Sequence, residues 1–222
     1  DNYALQKFAR SVLQTHNVDH CARICHSPSV AGLAQTLGSG AMTNSMADVD
    51  HADLIVIWGA DVTENHAILG GRIIQAKLNG AKLIVVDPRS TCLAKLADLH
   101  IPLHLGSNIA LANGLLHIIF REGWQASSFL AERVEGLDRL QAHVTAWTPE
   151  RVQRETGITP ELLYRFAQMY VHSPAAMLCY GMGITQFACG TNNVISLSNL
   201  VLVCGQIGRA GTGINPLRGQ NN

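Results

Sequence analysis

The densest run of reactive side chains is His20-Cys-Ala-Arg-Ile-Cys-His-Ser-Pro28. It reads as an irregular loop, with Ser27 and Pro28 suited to the N-cap and first position of a following helix. At its centre stand Cys25 and His26, which by residue type alone admit three chemistries. A buried thiol beside a loop histidine is the plainest. A cysteine nucleophile needs a basic partner elsewhere in the chain. A zinc site fits poorly, because Cys21-x3-Cys25-His26 lacks a second ligand pair at useful spacing. The other chemistry-bearing stretches are four short loops: Gly59-Ala-Asp-Val-Thr-Glu-Asn-His66, Asp87-Pro-Arg-Ser90, Gly106-Ser-Asn108 and Gly181-Met-Gly-Ile-Thr-Gln186. All are small and polar, as backbone approach to a phosphate and hydrogen bonds to a sugar or base require.

The elements around these loops explain their repetition. Leu54 to Trp58 reads as a buried strand, His66 to Leu78 as a helix and Lys82 to Val86 as a second strand, the βαβ pattern of a parallel sheet covered on both faces. Leu99 to Leu103 and Ala175 to Tyr180 read as further strands, and Asn108 to Phe120 and Asn192 to Val203 as helices. Between Gln125 and Ala167 lie short helices, two of them opened by Thr148-Pro149 and Thr159-Pro160, with Thr as N-cap and Pro at the first position. Ala4 to Gln14 reads as an amphipathic helix and Gly205 to Gly213 as loop. The expected fold class is α/β: three layers, αβα, around a mostly parallel, Rossmann-like sheet with additional helices. In such sheets ligands bind beyond the carboxyl ends of the strands, where the four polar loops fall. Singly each loop is ordinary: Gly181-Met-Gly183 can be a tight turn, Asp87-Pro88 a capping turn, and no G-x-G-x-x-G follows the first strand. Together they point to a nucleotide-like ligand.

Composition narrows the class. Among 222 residues, 16 basic and 16 acidic side chains cancel, and no Lys/Arg run occurs, which argues against a nucleic-acid partner. The longest apolar runs, Leu54 to Trp58 and Val194 to Val203, fall short of the roughly 18 residues a membrane helix needs. Six scattered cysteines and no visible secretory signal lean towards a reducing, cytoplasmic setting, with an upstream export signal left open. Only 14% of residues are charged, against roughly 25% in an ordinary domain, which implies that part of the surface is covered.

Six stretches in order along nearly the whole chain carry a family resemblance: Cys21 to Leu33, Gly38-Ser-Gly-Ala-Met-Thr-Asn44, Asp87-Pro-Arg89, Gly106-Ser-Asn-Ile-Ala110, Gly181-Met-Gly-Ile-Thr-Gln186 and Asn215-Pro-Leu-Arg-Gly-Gln-Asn-Asn222. They resemble the catalytic subunit of molybdenum- or tungsten-dependent formate dehydrogenases, members of the bis-molybdopterin guanine dinucleotide oxidoreductases. The spacing of Cys25-His26 from Arg218-Gly-Gln-Asn-Asn, about 190 residues, is the most specific part of the match.

The resemblance implies the roles. Cys25 would be the protein ligand to the metal, in the cysteine rather than the selenocysteine form. His26 would be a proton acceptor or hydrogen-bonding partner beside the substrate, and Arg218 would hold the formate carboxylate or the pterin edge through its bidentate fork. Gly59, Asp61, Glu64, Asn65, Asp87, Pro88, Arg89, Gly106, Asn108, Gly181, Met182, Gly183, Gln186, Gly219 and Gln220 would lie along the pterin and guanine dinucleotide. Asn65 ranks above Asp61 and Glu64, since acids beside a pyrophosphate repel it unless they face guanine N–H groups. The implied reaction is the reversible two-electron oxidation of formate to carbon dioxide.

By the same resemblance residues 1–222 would be the molybdopterin guanine dinucleotide-binding domain, an interior segment of a longer subunit and inactive in isolation. A 4Fe-4S domain would precede it, a β-rich domain would follow it, and an iron–sulfur or diaphorase-type subunit would exchange electrons with it. Two other readings compete. A scaffold related to the large iron–sulfur subunit of respiratory complex I would share the fold but lack the metal ligand and the substrate arginine. A stand-alone nucleotide-binding module would account for the loops but not for Cys25-His26.

Overall fold

A computed structural model describes residues 1–219. In chain order its elements are α1 (Asn2–Ser11), α2 (Ser27–Leu37), β1 (Leu54–Trp58), α3 (Val62–Asn65), α4 (Ala67–Leu78), β2 (Lys82–Val86), α5 (Cys92–Leu96), β3 (Leu99–Ile101) and α6 (Asn108–Arg121). Then follow α7 (Ser127–Arg133), α8 (Leu137–Val144), α9 (Pro149–Thr156), α10 (Pro160–Val171), β4 (Ala176–Tyr180), α11 (Met182–Thr185), α12 (Gly190–Val203) and β5 (Gly213–Pro216). The five strands form one sheet in the order β3-β2-β1-β4-β5, and every neighbouring pair is parallel.

The apolar runs produce the three layers directly. Every residue of β1 is buried, as expected of a strand with helices on both faces, and successive side chains alternate between two cores. Leu54, Val56 and Trp58 join Ile84, Leu178 and Tyr180 in a larger core closed by α2, α6, α9, α10 and α12. Ile55 and Ile57 face the other way, with Leu83, Val85, Met177 and Cys179, against Leu69 and Ile73 of α4 and Leu93 of α5. The sheet grows from β1 to β2 and β3 on one side and through β4 and β5 on the other. The chain therefore reverses its winding between β1 and β4, and a crevice opens there above the strand ends.

Local signals explain most boundaries. Thr148 and Thr159 cap α9 and α10 by accepting from the backbone N–H three residues on, with Pro149 and Pro160 as first helical residues. Three expectations are corrected. His26, not Ser27, is the N-cap of α2, and its imidazole bonds Ser29 three residues on. The helix expected from His66 forms as α4, and the loop expected before it contains a further short helix, α3. His66 is the joint between them (φ −139°, ψ 57°), and its Nε2 donates to the Arg218 carbonyl at 3.2 Å. The stretch assigned to loop ends in β5, a Gly-Ile-Asn-Pro edge strand with too little alternation to show in sequence. Its outer edge is covered by residue 43, whose Oγ1 accepts from the Ile214 N–H at 2.9 Å.

At the opposite, amino end of the sheet Asp98 pins the β2 side. Its Oδ2 accepts from Lys77 Nζ at 2.6 Å and from the Leu83 N–H at 2.8 Å, and Lys82 Nζ lies 3.5 Å from Oδ1. Burial alone would raise this carboxyl, but the Lys77 and Leu83 hydrogen bonds outweigh it and hold it below the ordinary carboxylate value. A depressed carboxylate stabilises the fold at pH above its unfolded value near 4, and that contribution is lost as pH falls through the lower folded value. Asp98→Asn should cost about 1–3 kcal/mol at pH 7 and progressively less below pH 4, read from denaturant unfolding at the two pH values.

Candidate functional site

A cleft of about 510 Å3 lies over the carboxyl ends of β1, β2, β3 and β4. Gly59, Asp61, Asn65, Asp87, Pro88, Arg89, Gly106, Asn108, Gly181, Met182 and Gly183, all expected from sequence, line it. His66, His104, Leu105, Phe187 and Leu217 line it too and were not singled out. The only sequence signal for them is their place in or beside the strand-end loops. Glu64 and Gln186 are exposed and are not in the wall, nor is Gly219. Gln220 lies outside the described residues.

Two glycines make the floor at the winding reversal. Gly59 has φ +63°, and a Cβ there would sit 2.8 Å from the Gly183 backbone; a Cβ on Gly183 would sit 2.6 Å from Gly59 Cα. Only residues without side chains let the loops after β1 and β4 touch in this way, with the Gly183 N–H donating to the Gly59 carbonyl at 2.9 Å. Asn108, at the start of α6, braces the same point. Its Oδ1 accepts from Trp58 Nε1 at 2.8 Å and its Nδ2 donates to the Gly183 carbonyl at 3.3 Å. Its amide is thus engaged with β1 and the β4 loop as well as bordering the cleft.

The polar wall is self-compensating. Asp87 is buried, and its Oδ1 accepts from the Arg89 N–H at 2.8 Å with Arg89 Nε at 3.4 Å. Arg89 Nη2 also lies 3.9 Å from Asp61 Oδ2, while Asp61 Oδ1 accepts from Thr63 Oγ1 at 3.0 Å. One exposed arginine between two carboxylates offsets the repulsion that bare acids would exert on a phosphate, and leaves carboxylate oxygens able to accept from a base or sugar.

Cys25, His26 and Arg218 lie beside this cleft, and Leu217 connects them to it. His26 is buried, and its Nε2 donates to the Leu217 carbonyl at 3.0 Å. That one bond sets the Cys25-His26 pair against the Leu217-Arg218 pair across 191 residues of sequence. Cys25 Sγ is partly exposed, 3.8 Å from Met182 Sδ on the cleft wall. An Arg218 Nη2 donates to the Gly40 carbonyl, so the Gly38-to-Asn44 stretch supports the arginine. Burial holds the His26 imidazole below its ordinary value. The Leu217 carbonyl opposes that shift, while the nearby Arg218 and His66 add to it.

All 222 residues match the sequence model of the molybdopterin oxidoreductases. The chain belongs to that family. It is 48% identical over 222 residues to the alpha subunit of F420-dependent formate dehydrogenase 1 of Methanococcus maripaludis, covering 100% of this chain and 33% of that protein. It is 45% identical over 221 residues to formate dehydrogenase H of Escherichia coli, covering 100% of this chain and 31% of that protein. The chain thus spans about a third of the length of these two relatives. The fold is shared with acetylene hydratase from Pelobacter acetylenicus, with a TM-score of 0.82 at 22% identity over 97% of this chain and 29% of that one. Among the described residues no helix is long and apolar enough to cross a membrane.

The cleft suits the pterin cofactor that the family name implies. Its glycine floor admits close backbone approach, its carboxylates and amides can meet a base, and a thiol stands at one end. Two buried polar atoms on flanking elements, Thr185 Oγ1 of α11 and Asn215 Nδ2 of β5, have no hydrogen-bond partner among the described residues. The brace beneath the cleft is testable. Asn108→Ala leaves the buried Trp58 indole N–H unpaired and should destabilise the fold by about 1–3 kcal/mol, measured by denaturant unfolding followed by tryptophan fluorescence.

Proposed function

We propose that this chain is the cofactor-binding interior segment of the catalytic subunit of a formate dehydrogenase, with residues 1–222 forming a molybdopterin guanine dinucleotide-binding α/β domain. The observation that carries the reading is the His26-to-Leu217 hydrogen bond. It sets a thiol-imidazole pair beside an arginine at the end of a cleft of dinucleotide character. The identities of 48% and 45% to formate dehydrogenase subunits over the full chain support it. The intact subunit would carry two pterin guanine dinucleotides with molybdenum or tungsten, a 4Fe-4S cluster in residues outside this chain, and an electron-transfer partner subunit.

In this reading Gly59, Asn65, Gly106 and the Gly181-Met-Gly183 turn receive pterin and phosphate, Asp87 and Arg89 receive the nucleoside end, and Gln186, Glu64 and Gly219 lie at the margins. The bound centre supplies the two-electron couple, while the protein supplies ligation, orientation and charge. Cys25 offers a thiolate ligand from the loop before α2. Arg218 holds the carboxylate of formate through two parallel N–H donors, so that the C–H bond is presented consistently as formate gives up two electrons and one proton. Of the two roles implied for His26, the geometry favours hydrogen-bonding partner: Nε2 already donates to Leu217 and Nδ1 is occupied by Ser29. His26 takes a proton only if its Nδ1 contact opens.

The fork role separates arginine from lysine. In the full-length subunit, Arg218→Lys should lower kcat/KM for formate by about 10²-fold while leaving metal and pterin content unchanged. Wild-type kcat/KM in that variant would overturn the assignment. Absence of molybdenum, tungsten and pterin from the purified parent would overturn the function as a whole.

A further inference from the structure

His26 is one member of a closed hydrogen-bond circuit whose other side-chain members, Ser29 and Tyr180, have no part in the ligand-binding roles above. Tyr180 Oη donates to Ser29 Oγ at 2.9 Å, Ser29 Oγ lies 2.8 Å from His26 Nδ1, and His26 Nε2 lies 3.0 Å from the Leu217 carbonyl. The Leu217 N–H then returns to the Tyr180 carbonyl at 2.8 Å. Tyr180 therefore closes the circuit with both its side chain and its backbone. Three separate parts of the fold meet in it: the carboxyl end of β4, the capped first turn of α2 and the residue after β5.

The hydrogen positions follow from the partners. A carbonyl only accepts, so Nε2 of His26 carries a hydrogen. A hydrogen on Nδ1 as well would make both the imidazole and Tyr180 donors to Ser29, leaving the Ser29 hydroxyl hydrogen without an acceptor among the described residues. Every bond is satisfied when Tyr180 donates to Ser29, Ser29 donates to a bare Nδ1, and Nε2–H donates to Leu217. The opposite tautomer would turn a lone pair of Nε2 against a carbonyl oxygen. Ser29 and Tyr180 are both fully buried, and the phenol ends in the larger core, so the chain has no outlet to solvent. Its geometry suits holding hydrogen positions rather than delivering protons.

We propose that Tyr180 and Ser29 are positioning residues: their hydroxyls lock the tautomer and ring orientation of His26, and through the Leu217 carbonyl they set Arg218 against Cys25. The inference rests on the formate dehydrogenase reading for its effect on turnover, but not for its effect on the imidazole. Cys25 immediately precedes His26, and Arg218 immediately follows Leu217. A loosened circuit therefore displaces ligand and substrate clamp relative to each other without altering either.

The test uses the full-length, cofactor-loaded subunit with 15N-labelled histidine and two variants, Ser29→Ala and Tyr180→Phe. In the wild type, the His26 ring should show an unprotonated Nδ1 and a protonated Nε2. Ser29→Ala should shift the two ring nitrogens towards a tautomer mixture and lower kcat/KM for formate by about 10–100-fold, at unchanged metal and pterin content. Tyr180→Phe removes one buried oxygen and nothing else. It should give a smaller change in the same direction, and none when added to Ser29→Ala, because it acts through Ser29. Unchanged ring-nitrogen signals in a folded Ser29→Ala variant would overturn the proposal. If that variant does not fold, unchanged signals in Tyr180→Phe would overturn it. A shifted tautomer in an enzyme that never oxidises formate would uphold the positioning role and reject only the proposed reaction.

Discussion

The hydrogen bond from His26 Nε2 to the Leu217 carbonyl is the constraint on which the site depends, because it directly joins the residue after the metal-ligand candidate to the residue before the substrate-clamp candidate. Neither end is part of the central strand set that forms the crevice. Cys25 sits before α2 and Arg218 after β5, so their mutual placement has to be held by contacts made after the sheet has formed. A buried bond between an imidazole and a backbone carbonyl suits that purpose. Breaking it leaves both a buried donor and a buried acceptor unpaired, which costs far more than the bond contributes relative to water. The fold surrounds it with further ties: His66 on the Arg218 carbonyl, Gly40 on the Arg218 guanidinium, and Tyr180 on the Leu217 N–H.

The sheet provides the frame for those ties. Because β1 lies between β2 and β4, the chain leaves its ends in opposite directions, and the glycine contact at residues 59 and 183 forms where the two directions part. The cleft is built there from loops that share small size and polar character. Its carboxylates are held by Arg89 and its amide by Trp58, so the wall is organised before any ligand arrives. Such preorganisation lets a chain with balanced charge present a polar cleft without a basic surface. The low share of charged residues fits the exposed apolar positions that the fold retains, Tyr3, Leu5, Val12 and Leu13 in and just beyond α1 and Leu105 at the cleft mouth.

Much of this frame was legible because its signals are local. Leu54 to Trp58 is a continuous apolar run, and only a strand covered on both sides tolerates one of that length; Thr-Pro pairs open α9 and α10 by capping geometry. The illegible parts were those whose conformation answers to a distant partner. His66 leaves the helix pattern while its ring reaches Arg218, β5 forms because β4 offers an edge, and the face of α1 remains exposed although its periodicity suggests burial. Asn108 was legible as a strand-end residue but not as a brace, since that role depends on where Trp58 and Gly183 arrive.

The sequence by itself determined the alternation of strands and helices, the polar loops at the strand ends and the reactive pair at Cys25 and His26, because residue types and spacing encode local conformation and intrinsic chemistry. Only the tertiary structure decided that these meet. The winding reversal between β1 and β4 gathers the loops into one cleft, and the circuit through Tyr180, Ser29, His26 and Leu217 joins two segments 191 residues apart. The physical reason is that a hydrogen bond of about 3 Å requires both partners to be placed by the whole packed fold, and no local pattern contains that information.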